Sequence, residues 1–570
     1  MSDGSASSGR RPLGEILISR GGCDQAQIDK ALDEQSRHGG HLGDILVAMG
    51  NLDPEELTRV LGIQVGLEPV DLDELTIPEG VRARMDGATC ALYRAVPVRE
   101  EADGTLVVAL ADPINVSILQ DLSFIVGSEV EAVIASEPAV DRALKAHWGD
   151  SGGSKQQMAD VIDEARTVTG SIDLEDKAAM AQAAPVVKLL NYVLLQAIRD
   201  KASDIHFEPF EHEFKVRYRV DGVLFEVEAP PLSLASALIS RVKVMSNLDI
   251  AETRVPQDGR IELSLGGRPI DLRVSTMPTV HGESCVLRVL DRSVVSLELA
   301  NVGMREDDLA MMNGLLERPH GILLVTGPTG SGKTTTLYSA LNRLNDVERK
   351  IITVEDPIEY DLDGIVQVQV ADEIDVSYAS VLRSILRQDP DILLVGEIRD
   401  RETAQIAVEA ALTGHLILST LHTNDAPSTV TRLVDIGIPP YLIVATVEAI
   451  VAQRLVRCIC PECRVEYTPD DDVLRELDLD RATVAERQFA YGKGCETCNF
   501  SGHKGRRALF EIMVFSETLR KLVLEGAPTQ ELRAAAIAEG MRPLRESGQL
   551  AILDGSTTVE EVLRETLVDT

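Results

Sequence analysis

The sequence predicts a multidomain α/β protein whose largest unit is a parallel sheet covered by helices on both faces. Three observations carry that prediction. From about Gly303 onward, four short and almost wholly apolar runs, GILLVTG, IITVED, DILLVGE and HLILST, alternate with helical stretches, and continuous apolar strands belong to sheets buried on both sides. A glycine-rich loop stands between the first run and the helix after it. The chain has 570 residues, more than one hydrophobic core serves, since cores stop growing at roughly 250–300 residues.

Composition narrows the function. With 92 acidic against 56 basic side chains the formal charge is −36, which excludes a surface that tracks phosphate backbones or anionic lipid throughout. Aromatic residues at 3% leave little for base stacking, so no nucleic-acid partner is expected. No run approaches the roughly 20 apolar residues of a membrane span, and the start MSDGSASSGRRP has no apolar signal region. A cytoplasmic placement is therefore expected.

Residues 1–10, rich in Ser and Gly, read as a disordered tail. An internal repeat follows: slid by 29 positions, Leu13, Gly14, Ile16, Leu17, Gly21, Asp24, Leu32 and Gln35 fall on Leu42, Gly43, Ile45, Leu46, Gly50, Asp53, Leu61 and Gln64. Each unit reads as helix, Gly turn and helix, with Asp24 and Gln27, and Asp53 and Glu56, as capping pairs. After Val70, β runs such as TLVVALAD put the repeat on a small α/β module, giving an N-terminal domain over 11–148. Residues 149–183, with SGGSKQQ and no apolar period, read as a linker. The amphipathic stretch PVVKLLNYVLLQAIRDKA, the strands FKVRYRV and GVLFEVE, the helix LASALISRVKVMSNL and the strands RIELSL, IDLRVSTM and SCVLRVL make an α/β domain over 184–292. The parallel-sheet domain spans 303–455, a cysteine-rich module 456–505, and short helices 506–570.

GPTGSGKT fits G-x-x-x-x-G-K-[ST] between a strand and a helix, the context that this motif requires. Gly327, Pro328, Thr329, Gly330, Ser331 and Gly332 would close backbone N–H groups around a phosphate. Lys333 would reach its β/γ oxygens, and Thr334, followed by Thr335, would offer a hydroxyl to Mg²⁺. Glu355 ends the second strand and Glu397 follows the third, both at the carboxyl ends where ligands bind. They are the two candidates for holding Mg²⁺ and orienting an attacking water. Asp391 begins its strand and belongs at the opposite edge. His415 and His422 bracket the fourth run, near where a γ-phosphate sensor would stand. Arg383, Arg387 and Arg399 flank the third strand, and Arg260 and Arg273 lie in the preceding domain; as a group they are candidates to complete a phosphate site from a neighbouring subunit.

These motifs resemble those of the secretion-type ATPases of type II secretion and type IV pilus assembly, a hexameric branch of the RecA-like P-loop fold. The resemblance runs from about Ala184 to the end and includes the N-terminal repeat. It is carried by GPTGSGKTTT, ITVEDPIEY, RQDPDILLVGEIRD, TGHLILSTLHTNDA, QDGRIEL and DLRVST. It implies ATP hydrolysis with Mg²⁺, coupled to movement of a PAS-like upstream domain against the motor domain, with active sites completed between subunits of a homohexamer. Glu355 becomes the water-orienting candidate, Glu397 the acid near Mg²⁺, and His422 the sensor of nucleotide state, while the division of labour between the two glutamates stays open. Docking through the N-terminal end on an inner-membrane platform is also implied.

Cys460-Pro-Glu-Cys463 and Cys495-Glu-Thr-Cys498 are two C-x-x-C knuckles, and four thiolates in tetrahedral array suit a structural Zn²⁺. Redox chemistry is the rival, but one pair would suffice for it and no thioredoxin-like βαβ context surrounds either. Cys458 is an extra thiol, while Cys23, Cys90 and Cys285 read as core residues. The resemblance carries such a tetracysteine insertion in its secretion and pilus-assembly members. The Leu-Gly repeat resembles a domain that binds cyclic di-GMP in some members. Here Pro12 and His41 stand where that motif often has Arg, with Arg10 and Arg11 close by, so the alternative is a domain that only docks on a partner.

Overall fold

The computed structural model describes residues 13–148 and 183–566 apart from short interruptions, the longest at 33–41, 112–118 and 292–296. Arg10, Arg11, Pro12 and His41, the expected tail and nearly all of the expected linker lie outside the described residues. The chain divides into two compact units, one ending at Asp291 and one following it.

In the first unit, the helices Leu13–Arg20 and Leu42–Ala48 open the two repeat units. Leu17 and Leu46, equivalent in the repeat, are both fully buried in one small core. A three-stranded sheet follows, in which Leu106–Leu110 pairs antiparallel with Ala95–Glu100 and parallel with Val130–Ile134. Residues 184–291 form a six-stranded sheet that is antiparallel throughout. The helices Ala184–Arg199 and Ala235–Met245 share one core with it, built from Leu189, Val193, Leu238, Phe207, Val216 and Leu272. Its central strand Asp204–Pro209 escapes the apolar-run criterion because DIHFEP places a charged or titratable residue at every second position.

The second unit is built on a seven-stranded sheet. Its strands are β1 (Gly321–Thr326), β2 (Ile351–Glu355), β3 (Val366–Gln369), β4 (Ile392–Val395), β5 (Leu416–Leu421), β6 (Val447–Ile459) and β7 (His503–Val514). Their spatial order is β3-β2-β4-β5-β1-β6-β7. All neighbours are parallel except β7, which runs antiparallel along β6. The apolar runs alternate between two cores: Ile322, Leu324, Leu393 and Ile417 pack on one face, Leu323, Val325, Leu394 and Leu418 on the other. That double burial explains why these strands carry no polar alternation. The four strands read from the sequence fall where the apolar runs place them. The sheet's far edge does not, because β7 occupies the start of the segment expected to be helical.

Helices α1 (Lys333–Leu344), α2 (Tyr378–Ile385), α3 (Arg401–Leu412) and α4 (Ala426–Ile436) connect the parallel strands. Asp400 and Asp425 cap α3 and α4 by accepting from the amides of Thr403 and Ser428. Glu511 of β7, 1% exposed, accepts from the first amide of α4, at Ala426, and from that of the helix Leu544–Leu553, at Leu544. Two helix N-termini thus converge on one buried carboxylate, which their dipoles favour. Glu511→Leu strands both donors and is expected to lower stability by roughly 2–4 kcal/mol in a urea titration. Among the described residues, no helix is long and apolar enough to cross a membrane.

Candidate active site

The phosphate loop leaves β1 at Thr326 and enters α1 at Lys333. Gly327 and Gly332 have φ of 149° and 88°, a region that side chains other than glycine's avoid. Pro328, Thr329, Gly330 and Thr334 are exposed, whereas Gly327, Ser331 and Lys333 are buried and Thr335 is half-buried. Lys333 Nζ donates to the carbonyls of Gly327 and Pro328 at 2.8 and 3.0 Å. Burial pushes its ammonium down to about 8, and the carboxylate of Glu397 opposes that shift. Below about pH 8 the ammonium is charged in both the folded and the unfolded chain and its desolvation cost is constant. Between about pH 8 and the ordinary lysine value of 10.5 only the unfolded chain keeps the proton, so the free fold gains stability as pH rises through that window. A polyanion favours the charged form, so nucleotide affinity should be flat below about pH 8 and fall by up to about tenfold per unit above it. Calorimetric titrations at pH 7, 8 and 9 check this, and Lys333→Met should abolish the dependence.

Glu397 lies two residues beyond β4, after Gly396. A side chain at 396 would meet the Tyr378 hydroxyl at 2.9 Å and the Val354 carbonyl at 3.2 Å, so a larger residue there would have to displace the Tyr378 side chain. The Glu397 carboxylate is 14% exposed, pairs with Arg399, and lies 3.1 Å from His422 Nε2. Its bond to Arg399 raises that guanidinium further. Arg399 also faces Asp356 at 3.8 Å. The Thr326 hydroxyl donates to the Leu421 carbonyl at 3.0 Å, accepts from the Thr423 amide at 2.9 Å and lies 2.6 Å from the Thr423 hydroxyl. His422 is thereby tied to the end of the strand that carries the phosphate loop. The structure thus brings Lys333, Glu397, His422 and Arg399 to one edge of the sheet.

Glu355, 4% exposed, ends β2. It accepts from the hydroxyls of Tyr338 and Thr353 and, at 3.2 Å, from Gln367 Nε2. Three donors from α1, β2 and β3 hold its carboxylate in one orientation. Asp391 lies at the opposite edge, as its place in the sequence requires, and accepts from the Lys350 amide at 2.7 Å.

Other candidates separate. His415 sits at the amino end of β5, its Nδ1 2.9 Å from the Ala410 carbonyl and 3.1 Å from the Thr413 hydroxyl. It joins α3 to β5 at the edge away from the phosphate loop, so the two histidines of the fourth run do not share a site. Arg383 pairs with Glu402, and Arg387 donates to the Arg383 carbonyl at 2.7 Å; both are exposed. Arg260 and Arg273 belong to the first unit, where they are register partners on adjacent strands. Arg260 pairs there with Asp271 at 2.8 Å. Tyr338, Gln367, Gln453 and Arg454 carry no motif in the sequence; the packing of α1, β3 and β6 brings them to the site.

The second chemical centre lies between β6 and β7. The sulfur atoms of Cys460, Cys463, Cys495 and Cys498 all lie within 4.8 Å of one another. The separations Cys460–Cys495, Cys463–Cys498 and Cys495–Cys498 are 3.8, 3.9 and 3.7 Å. A tetrahedral ion with Zn–S bonds of about 2.3 Å places its sulfurs about 3.8 Å apart, so the donor set fits Zn²⁺. Both pairs join one cluster, where a redox centre needs only one. Cys458 lies on β6 outside this cluster, and Cys23, Cys90 and Cys285 are buried.

The phosphate loop and the acid–histidine cluster, on a parallel sheet flanked by helices, define a RecA-like P-loop nucleotide-binding domain. The solved structure of the ATPase DotB of Legionella pneumophila shares this fold, with a TM-score of 0.51 and 23% identity over 65% of this chain and 94% of that one. The chain belongs to the type II/IV secretion system protein family, whose model matches residues 179–564. An MshEN domain model matches residues 62–154. The chain is 43% identical to the type IV pilus assembly ATPase PilB of Myxococcus xanthus, over 98% of this chain and 99% of that protein. It is 41% identical to type II secretion system protein E of Xanthomonas campestris, over 97% and 98%.

Proposed function

We propose that the chain is an ATPase that powers assembly of a pilus or secretion pseudopilus from the cytoplasmic face of the inner membrane. The observation that carries this reading is the convergence of Lys333, Glu397, His422 and Arg399 beside an accessible phosphate loop. Similarity over nearly the whole length to a pilus assembly ATPase and a secretion protein E supports the biological role.

The residues divide the work as follows. Loop amides from Gly327 to Lys333 and the positive end of α1 hold the phosphates. Lys333 leaves its loop carbonyls for the β/γ oxygens. Thr334 and Glu397 are the residues that would hold Mg²⁺, which would supply positive charge to those oxygens. His422, joined to Glu397, reports the γ-phosphate to the turn that follows β5. Glu355, fixed by three donors, orients the attacking water. Glu355→Gln keeps the shape and removes the charge, and is expected to slow turnover by about 10²–10⁴-fold with ATP affinity retained; steady-state phosphate release and equilibrium binding check the two halves. Arg383 and Arg387, both exposed, and Arg260 and Arg273 of the first unit are the candidates to act on a neighbouring subunit's phosphates in a homohexamer. Zn²⁺ at the four cysteines is structural.

The test is stimulation of ATP turnover in the full chain. A cytoplasmic domain of the membrane platform should raise it and DNA should not; the reverse would make the chain a nucleic-acid translocase. The MshEN match favours regulation through the N-terminal domain, with cyclic di-GMP as ligand. A calorimetric titration of the full chain tests that, and an absence of heat at saturating concentrations removes it.

A further inference from the structure

Gln453 lies on β6, one residue beyond Ala452, the register partner of Thr326. It is completely buried. Its Oε1 accepts from the Thr336 hydroxyl at 2.8 Å, one turn into α1 beyond Lys333. Its Nε2 is buried and has no hydrogen-bond partner among the described residues, yet stands 2.8 Å from where a Cβ on Gly332 would sit. Its own carbonyl is 2.5 Å from the corresponding point on Gly327. A single residue therefore underlies both ends of the phosphate loop. That carbonyl is held by Arg454 at 3.2 Å, whose guanidinium also donates to the Asn424 carbonyl at 2.9 Å, two residues from His422. Ser331 Oγ is a second buried atom without a partner among the described residues, 2.6 Å from the same point on Gly327.

Buried donors without acceptors are rare and costly. Two of them beside one loop mark a structure whose hydrogen bonding is completed in another state. In the present state Lys333 serves the carbonyls of Gly327 and Pro328, and a triphosphate that draws the ammonium away leaves them short of a donor.

We propose that Gln453 is a positioning residue for the phosphate loop: it anchors α1 through Thr336 and, together with Ser331, supplies the donors that loop carbonyls take up when Lys333 turns to phosphate. The inference rests on the loop's binding a nucleotide. It separates two properties that an ordinary buried glutamine would lose together. Removing an unpartnered donor does not weaken the empty protein, but it weakens the loaded one.

The test uses the full chain carrying Gln453→Met with Thr336→Val, which removes both ends of the existing bond, and Gln453→Glu, which keeps the acceptor and replaces only the amide. A fluorescent ATP analogue is titrated into each variant and into the wild type, and unfolding midpoints are measured without nucleotide. Affinity is expected to fall by about tenfold or more in both variants. The nucleotide-free midpoint of the double variant should equal or exceed that of the wild type, and KM should rise more than kcat falls. Affinity within twofold of the wild type, or a nucleotide-free midpoint that falls in parallel with affinity, overturns the proposal. A folded wild type that does not bind the analogue overturns the nucleotide reading itself, and is recognised because it fails before any substitution is made.

Discussion

Lys333→Ala is expected to abolish ATP turnover and weaken nucleotide binding by about 10³-fold or more, with the fold intact. The ammonium is the buried positive charge at the mouth of α1, and burial has already lowered it to about 8. It is therefore poised to gain from a polyanion what it loses by leaving water. Among the described residues it bonds to the carbonyls of Gly327 and Pro328 alone, so its removal relieves a desolvation cost as it deletes two bonds. Melting curves without nucleotide should accordingly shift little. A fluorescent-nucleotide titration beside a thermal melt separates the two effects, and a variant that retains affinity would show that the phosphates sit elsewhere.

Withdrawing metal from the four cysteines is expected to unfold residues 460–502 while leaving nucleotide affinity within about twofold. Structural Zn²⁺ contributes about 10–16 kcal/mol to small sites of this kind, and here it would join the two knuckles that open and close the module. Among the described residues its sheet is the two-stranded pair Arg464–Tyr467 and Phe489–Gly492, a size that is marginal alone. Leu474, Leu477 and Phe489 pack with Ile552, Val559 and Val562 of the last two helices, so those helices should loosen next. The phosphate loop belongs to β1 and α1, and β1 is held by parallel pairing with β5 and with the start of β6, away from the cysteines. Hydrogen exchange before and after treatment with a strong chelator measures the first half, and nucleotide titration the second. Protection retained across 460–502 after complete metal removal would contradict the structural role.

What was legible in the sequence is what short-range order encodes. The phosphate loop, the two glutamates at strand ends and the paired C-x-x-C knuckles each depend on a few adjacent residues, and the apolar runs announce a sheet buried on both faces. His415 and His422 show where this stops: seven positions apart, they look alike until the direction of β5 puts one beside Glu397 and the other under α3. β7 was hidden because its role as the sheet's edge depends on pairing with β6 across the cysteine module. Gln453, Tyr338 and Glu511 carry no local signal either. Each matters through a partner on another strand or helix, and register across the sheet is set by the fold as a whole.

We propose that the Glu397 cluster beside Lys333 cleaves a bound triphosphate. A single-turnover experiment on the assembled full chain, with trace γ-labelled ATP and excess protein, tests it most directly when the wild type and Glu397→Gln are run side by side. The wild type should release labelled phosphate, while Glu397→Gln should hold intact ATP with cleavage slowed by about 10³-fold. Equal cleavage by both proteins, or a wild type that binds ATP and returns it uncut, would contradict the claim.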